Sequence, residues 1–430
     1  MINNITDIWI MGITFFITLV SGIPVAFCLG IAGVIVILIR GFPIVILAQR
    51  MFTGIDSFTI LAVPFFMWAG IIMQKGGVSR SLASFSNAIV GSIRGGFAQV
   101  GVLTAMFFGG CTGAGSADTA AISSILLKPM ESEGYNKRMI APLLAMAGSL
   151  GCIIPPSLGM VVFGAITGVS IGKLFIGGII PGIMMGSSLM IVNYFIAKHE
   201  NLPAHKFVGW KELFKAFMKA SLALGMPFII VGGIYGGIFT PTEAAAVAVI
   251  YCLIITILLL HTVRWRKFID SLIDSVAVSS VPLFLISVAG FIGWLLSWER
   301  IPQIITDALL TFAVSKFIFL LIVNLLLLFV GCFLEGLAAI LVIVPLLFPI
   351  AMFFGIDPVH FGLIVNVNLT IGMSTPPVGL ALFVSCGMAN VKIEETWHYL
   401  RLYLLVTIVD LFLITYIPQI SIFLPNLLYR

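Results

Sequence analysis

Charge is scarce in this sequence: Asp, Glu, Lys and Arg make up 9% of its 430 residues, against roughly 25% in a soluble chain. With 60% hydrophobic residues and a mean hydropathy of +1.20, it lacks the polar groups to cover a watery surface. A soluble globular fold is excluded, and so is disorder, which needs low hydropathy and high charge. No CxxC spacing occurs. Cys28, Cys111, Cys152, Cys252, Cys332 and Cys386 are scattered through apolar stretches and read as small buried hydrophobes rather than disulfides or metal ligands. His199, His205, His261, His360 and His398 fall near segment ends, which argues against a histidine metal centre in a membrane. There is no nucleophile–base array, no HExxH and no glycine-rich loop carrying a phosphate-binding Lys, so neither an enzyme nor an ATP-driven pump is expected. Residues 1–7 have no basic region ahead of the first apolar run, which reads as a span rather than a cleaved signal. The net charge of +5 reports orientation in a bilayer, not nucleic-acid binding.

Long apolar runs are what the chain does have. At about 20 residues per crossing, its length allows on the order of ten or more membrane helices, an all-α polytopic fold. Runs 5–20 and 25–39 are broken at Ser21-Gly22-Ile23-Pro24. As one helix they would exceed about 50 Å against a hydrocarbon core of about 30 Å, so they are two crossings. Residues 57–73 form a third. Leu82, Phe85, Ile89 and Ile93 recur at helical spacing between Arg80 and Arg94, which predicts an interfacial amphipathic helix.

Residues 97–130 differ. Apolar arms 97–108 and 117–127 flank Gly109-Gly110-Cys111-Thr112-Gly113-Ala114-Gly115-Ser116, each roughly 17 Å as helix and too short to span. Positive charge stands at both outer ends, so a re-entrant hairpin is expected. Residues 139–168 are interrupted at Gly148-Ser149-Leu150-Gly151-Cys152-Ile153-Ile154-Pro155-Pro156. Consecutive prolines cannot sit inside a continuous helix, which makes this a broken span. An ordinary span at 174–197 and a polar stretch at 198–219 follow. The second half gives spans 222–239, 244–260 and 276–296, a hairpin over 317–352, a broken span over 361–389 and a last span over 400–424. Gly331-Cys332-Phe333-Leu334-Glu335-Gly336 forms the second tip, and Thr370-Ile371-Gly372-Met373-Ser374-Thr375-Pro376-Pro377 the second break.

The halves also match in sequence. Asp56-Ser57, Val63-Pro64 and Phe66 recur as Asp274-Ser275, Val281-Pro282 and Phe284, every pair at the same offset. Gly110-Cys111 matches Gly331-Cys332, and Gly151 with Pro155-Pro156 matches Gly372 with Pro376-Pro377, again at one shared offset that differs only slightly from the first. A nearly constant offset over three elements indicates duplication, with repeats at 1–215 and 216–430. Five crossings and one non-crossing hairpin per unit make the repeats inverted, a signature of secondary transporters. Placing Lys198, Lys206, Lys211, Lys215 and Lys219 inside also puts Lys75, Arg80, Arg94, Lys128, Lys137, Arg138, Arg264, Arg266, Lys267 and Lys392 there. Arg40, Arg50, Lys173, Arg300, Lys316 and Arg430 are left outside, in line with the positive-inside rule. Both termini are then outside, and the hairpins open to opposite sides.

Irregular backbone is tolerated at mid-membrane only where it is buried or lines a polar cavity. Two tips and two breaks should therefore meet there, offering carbonyls to Na⁺ and helix N-termini to an anion. Simple Gly/Pro kinking is the competing reading, and four breaks in symmetry-related places weigh against it. Ser116, Ser149, Ser374 and Thr375 add hydroxyl oxygens. Of the acidic residues in apolar stretches, Asp118 and Glu335 are the functional candidates because desolvating a carboxylate is costly. Asp56 and Asp274 are expected to cap helix N-termini, as is Glu243 after Thr240-Pro241-Thr242. Asp410 could face a partner subunit.

Gly232-Gly233-Ile234-Tyr235-Gly236-Gly237-Ile238-Phe239-Thr240-Pro241-Thr242-Glu243, Ile154-Pro155-Pro156-Ser157, Gly168-Val169-Ser170-Ile171-Gly172 and Gly355-Ile356-Asp357-Pro358-Val359-His360-Phe361-Gly362 resemble the large membrane subunit of tripartite ATP-independent periplasmic (TRAP) transporters, over essentially the whole chain. The resemblance implies a bacterial inner-membrane protein working with a small four-span membrane subunit, expected on a separate polypeptide, and a periplasmic substrate-binding protein. It implies Na⁺-coupled import of a carboxylate-bearing organic acid, such as sialic acid or a C4-dicarboxylate, by an elevator motion of hairpins and broken helices. It places Na⁺, at two or more sites, at the tip-and-break pairs. One group is Gly110, Thr112, Gly115, Ser149 and Gly151; the other is Gly331, Gly336, Thr370, Gly372 and Ser374. Substrate falls near Gly113, Ser116, Ser149, Pro155, Pro156, Glu335, Thr375 and Pro376. Many members have Asp where this chain has Glu335. A stand-alone Na⁺- or H⁺-coupled organic-anion transporter using Asp118 or Glu335 as a proton site is the alternative.

Overall fold

The computed structural model describes residues 2–113, 115–311 and 315–429; Ala114 of the first tip and Arg430 of the outer basic set fall outside them. Among the described residues the chain is helical with no strand, and eight helices are long and apolar enough to cross a membrane.

Helices α1 (Ile2–Val20) and α2 (Val25–Ile39) pack as a pair across the expected turn, where Gly22 takes φ +80. Helix α3 (Val45–Ile55), a 3-10 turn (Phe58–Leu61), α4 (Ala62–Lys75) and α5 (Val78–Val90) follow. The first repeated unit comprises the hairpin α6 (Gly96–Thr112) and α7 (Gly115–Ser132), the broken helix α8 (Lys137–Ser149) and α9 (Leu158–Thr167), and the long α10 (Ile171–His199). Next come α11 (Trp210–Tyr235), α12 (Pro241–Leu253, continued by a π segment Ile254–Leu259), α13 (Trp265–Trp298) and α14 (Ile301–Thr311). The second unit comprises the hairpin α15 (Lys316–Phe333) and α16 (Gly336–Phe353), the broken helix α17 (Pro358–Gly372) and α18 (Leu380–Ala389), and α19 (Ile393–Tyr416); α20 (Gln419–Leu428) ends the chain. The helix starts of the two units keep the offset of the matching tip and break motifs to within one position.

The two hairpins enter from opposite ends of the bundle. At the base of the first, Arg94 donates to Asn201 at 3.2 Å and Glu133 pairs with His205 at 3.1 Å. This end also gathers the Lys75–Asp274 pair (2.6 Å) and the Arg138–Glu395 pair (2.8 Å), the latter at the start of α19. The base of the second hairpin stacks Phe317 on Tyr416, at the far end of α19. The short helices then cross over: α9 packs on α16 and α17 of the other unit, and α18 packs on α7 and α8.

Several elements differ from expectation. Helix α3 was not anticipated; it lies on α13, where a Cβ on Gly290 would stand 2.7 Å from the Gly54 Cα. Apolar surroundings give helices no hydrophobic reason to associate, so close contact at small residues holds them. Ser287 adds a 2.8 Å hydrogen bond to the Met51 carbonyl, and Arg50 lies 5.0 Å over the Trp294 ring. Helix α5 is amphipathic as expected, and protein covers its buried face: Val78, Leu82, Ser86 and Val90 are buried, and the helix packs on α6 and α11. Neither Asp56 nor Asp274 caps an N-terminus. Asp56 follows the last residue of α3, and Asp274 lies inside α13, where it pairs with Lys75. The equivalent stretch is thus broken in one half and continuous in the other. Glu243 does cap: its carboxylate accepts from the Thr240 N–H at 2.8 Å, and the Thr240 hydroxyl accepts from the Glu243 N–H at 3.3 Å. The last apolar stretch is two helices, because Pro418 interrupts it and α20 packs against α10.

At the other end, Arg40 binds Asp7 (2.5 Å) and Glu299 (3.0 Å), tying α1, α2 and the end of α13 together. Both carboxylates are buried. Arg40→Met leaves two buried acids without this guanidinium and is expected to cost about 3 kcal/mol, read as a lower unfolding temperature in detergent. Lys75→Met, at the more exposed Lys75–Asp274 pair, is expected to cost less than about 1 kcal/mol; equal shifts would contradict the assignment.

Candidate functional site

Each break is a helix end inside the bundle, where freed backbone groups need new partners. In the first unit α8 tightens into a 3-10 turn (Leu150–Cys152), and the chain then crosses the cis Pro155–Pro156 pair to α9. Ser157 serves both sides: its hydroxyl donates to the Cys152 carbonyl at 2.5 Å and accepts from the Met160 N–H at 3.4 Å. In the second unit the Thr375 hydroxyl donates to the Ile371 carbonyl at 2.7 Å, and the Ala381 N–H donates to the Met373 carbonyl at 2.8 Å across the cis Pro376–Pro377 pair.

The hairpin tips are shorter than expected. Gly109 to Thr112 continue α6 and Gly115 starts α7, so the arms have 17 and 18 residues rather than about a dozen. In an apolar layer, staying helical is the cheapest way to satisfy the glycine backbone. Gly113 turns the chain with φ +64. Each tip is hydrogen-bonded to its break, through Leu158 N–H to Gly113 carbonyl (3.4 Å) and Gly379 N–H to Cys332 carbonyl (2.9 Å).

Glycine contacts bring tip and break together in both halves. A Cβ on Gly151 would lie 3.0 Å from the Gly109 Cα, and one on Gly372 would lie 2.7 Å from the Gly331 Cα. Gly109 was missed by the sequence reading, whereas Gly110 instead faces Pro227 of α11 and the Pro155 carbonyl. Ser149 and Thr370 are equivalent, each donating at 2.7 Å to the carbonyl one turn earlier (Ala145, Asn366). The two breaks touch where Ser374 donates to Ser149 across 2.8 Å; both hydroxyls are buried.

Asp118 is buried beside the first tip and break, hydrogen-bonded by Thr112 and close to Gly151. Carboxylate, hydroxyls and backbone oxygens are thus grouped there as hard ligands suited to an alkali cation. A cavity of about 120 Å³ opens between the two tips. It is lined by Gly113, Gly115, Ser116, Glu335, Gly336 and Thr370, together with Cys152, Leu158, Asn366 and Met373. Met67 of α4 and Val278 of α13 close one side. The first residues of α7, α9 and α16 all reach it, so three positive helix ends face one space. Glu335 precedes α16 without capping it, and it lines the cavity together with Ser116 of the first tip.

The structure therefore divides the candidates. Gly113, Ser116 and Glu335 line the cavity with Gly115, Gly336 and Thr370. Ser149, Gly151, Gly331, Gly372 and Ser374 form the contacts behind it, while Pro155, Pro156, Thr375 and Pro376 shape the breaks without lining it. Asp410 is buried against Ser188 of α10 at 3.0 Å, within this chain. Asn366 was overlooked; two Asn residues in the apolar run Val365-Asn366-Val367-Asn368 were the available signal.

A family model described as the DctM component of tripartite ATP-independent periplasmic transporters matches residues 13–420. The chain is 42% identical over 419 residues to the isethionate TRAP transporter permease protein DctMQ of Oleidesulfovibrio alaskensis, covering 95% of this chain and 65% of that one. It therefore spans about two-thirds of that relative's length. It is 38% identical to the C4-dicarboxylate TRAP transporter large permease protein DctM of Vibrio cholerae over 432 residues, covering 95% of each. It is 37% identical to the sialic acid TRAP transporter large permease protein SiaM of the same species over 410 residues, covering 95% of this chain and 96% of that one. Among solved structures, the YdaH transporter of Alcanivorax borkumensis shares the fold with a TM-score of 0.55 at 16% identity, covering 86% of each chain.

Gly151→Ala and Gly372→Ala each drive a methyl group into opposing backbone and are expected to destabilise the chain by about 1–3 kcal/mol, measured by unfolding in detergent. Gly387→Ala meets nothing within 4 Å and is expected to be neutral or slightly stabilising.

Proposed function

Because the chain belongs to the DctM component family of tripartite ATP-independent periplasmic transporters, in which its relatives are large permeases, we propose that it couples an inward Na⁺ gradient to import of an organic acid. The acid is of the C4-dicarboxylate or sialic acid type named for the relatives. The observation that carries this reading is the convergence of three helix N-termini on one cavity, backed by two glycine-paired tip-and-break contacts. Helix N-termini favour an anion, and broken-helix carbonyls suit Na⁺. The acid's charged end meets the starts of α7, α9 and α16. Na⁺ sits behind it, with Thr112, Asp118, Ser149 and Gly151 supplying the first group of oxygens and Thr370, Gly372 and Ser374 the second. A volume of about 120 Å³ is well below the roughly 300 Å³ of an ordinary ligand pocket, so this conformation admits only a small head group.

The units α6–α10 and α15–α19 then move as one body against α1–α4 and α11–α13, whose Met67 and Val278 wall the cavity. Elevator motion of this kind needs a fixed scaffold, a role shared with a small four-span membrane subunit, while a periplasmic binding protein delivers the acid. The protein sits in the bacterial inner membrane with the Lys198–Lys219 end inside and Asp7 and Tyr429 at the periplasmic end.

In proteoliposomes, uptake is expected to require the inward Na⁺ gradient, the small subunit and the binding protein. Asp118→Asn is expected to lower the Na⁺-driven rate by about tenfold or more, equivalent to roughly 1.4 kcal/mol. Uptake driven equally well by K⁺ would refute the coupling. Uptake by this chain alone would favour a stand-alone carrier.

A further inference from the structure

Helices α5 and α11 face each other across a groove of about 420 Å³ that has no part in the proposed transport site. Arg80, Ser84 and Asn87 line it from α5, and Glu212, Lys215 and Lys219 line it from α11. Those positions are spaced by three and four residues, so each set is one stripe of its helix. Arg80 is the sole charged residue of α5, and Lys219 is the last charge of α11 before an uncharged run to Tyr235. Helix α11 turns from charged to apolar just beyond Lys219, which puts the groove near the water–lipid boundary at the basic end of the bundle. Trp210, at the start of α11, is 80% exposed, as an interfacial anchor would be. Phe214, Phe217 and Met218 are exposed beside the cations.

The charge is not balanced locally. Lys215 lies 3.8 Å from Glu212, the one acid of the groove, while Arg80 and Lys219 have no ion-pair partner among the described residues. Arg80 also lines an adjoining space of about 520 Å³ with Lys75 and Lys267. Lys75 is held by Asp274, and Lys267 donates to the Thr262 carbonyl. Water-soluble anions would find this net positive groove equally well, but its apolar flank matches acyl chains.

We propose that the α5–α11 groove binds the phosphate of an anionic phospholipid. The Arg80 guanidinium takes two phosphate oxygens in its planar fork, Lys215 and Lys219 add point charges, and Ser84 and Asn87 face the polar head group. The lipid bridges α5, which connects α4 to the first hairpin, to α11.

The test uses the purified full chain in detergent, titrated with phosphatidylglycerol, phosphatidylethanolamine or inorganic phosphate, with binding read by native mass spectrometry and by unfolding temperature. Phosphatidylglycerol is expected to bind and raise the unfolding temperature well beyond the zwitterionic lipid. Removing charges in the combined variant R80Q/K215Q/K219Q should weaken it by about a hundredfold, at about fivefold per charge, with the lipid-free unfolding temperature unchanged. Should that variant fail to fold, Glu212→Gln serves instead and is expected to tighten phosphatidylglycerol by several-fold. Equal binding of the two lipids, the same stabilisation from inorganic phosphate alone, an unaffected triple variant, or no gain from Glu212→Gln would each overturn the proposal.

Discussion

A backbone N–H or C=O that leaves a helix inside an apolar layer must find another partner, at a cost of several kcal/mol if it does not. Much of this structure follows from that constraint. The glycine-rich tip sequences stay helical almost to the turn because helix is the conformation that satisfies their own amides. Where prolines make helix impossible, the freed groups are met nearby: Ser157 serves the Cys152 carbonyl, Ala381 serves the Met373 carbonyl, and each tip lends a carbonyl to its break.

Close packing is the second consequence. Hydrogen bonds between a tip and a break form only if two backbones approach, which a Cβ at Gly151, Gly331 or Gly372 would prevent. The glycines that hold the fold together are thus the ones that bring helix ends to a common point. Because α9 and α18 each pack into the other unit, neither half can complete its site alone. The Ser149–Ser374 hydrogen bond joins the halves at the centre.

What could be read from sequence was what is local in the chain. Pro155–Pro156 and Pro376–Pro377 break helices wherever they occur, and runs of apolar residues declare spans, so both hairpins and both broken helices were legible to within a few residues. Tertiary competition was not. Asp56 and Asp274 occupy matching places in a repeated motif, yet one helix breaks there and the other runs on with Asp274 paired to Lys75; the partner decides, and it is distant in sequence. The amphipathic pattern of α5 states that one face is buried but not that α6 and α11 cover it. The short α3 carries Arg50 and Gln49 in an apolar setting, which obscured it, and its placement depends on Gly290, a glycine in the other half of the chain. In the site, the glycines were visible as a group, but which of Gly109 and Gly110 meets the break depends on helix phase. Asn366 and Thr370 reach the cavity for the same reason.

The two halves agree where backbone meets backbone and differ where side chains fill the space. Gly109–Gly151 and Gly331–Gly372 are analogous contacts shifted by one residue on the tip side, since Gly331 corresponds in sequence to Gly110, and Ser149 and Thr370 make the same bond to the preceding turn. Asp118 breaks the symmetry: its counterpart in the second hairpin, at the offset that relates the two tips, is Ala339, buried and apolar. An ionised carboxylate in a low-dielectric site favours a cation strongly, whereas hydroxyl and carbonyl dipoles favour it less. On the proposed reading the two Na⁺ positions are therefore unequal, the one beside Asp118 holding its ion more tightly. An acid carrying one or two negative charges then meets three helix N-termini and a bound cation on one side, with Glu335 on the other. On the same reading the weaker position lies behind Gly336 and Thr370, which line the cavity on the side of the second tip. Duplication of the backbone then yields two cation positions of unequal strength, set by the one carboxylate that the halves do not share.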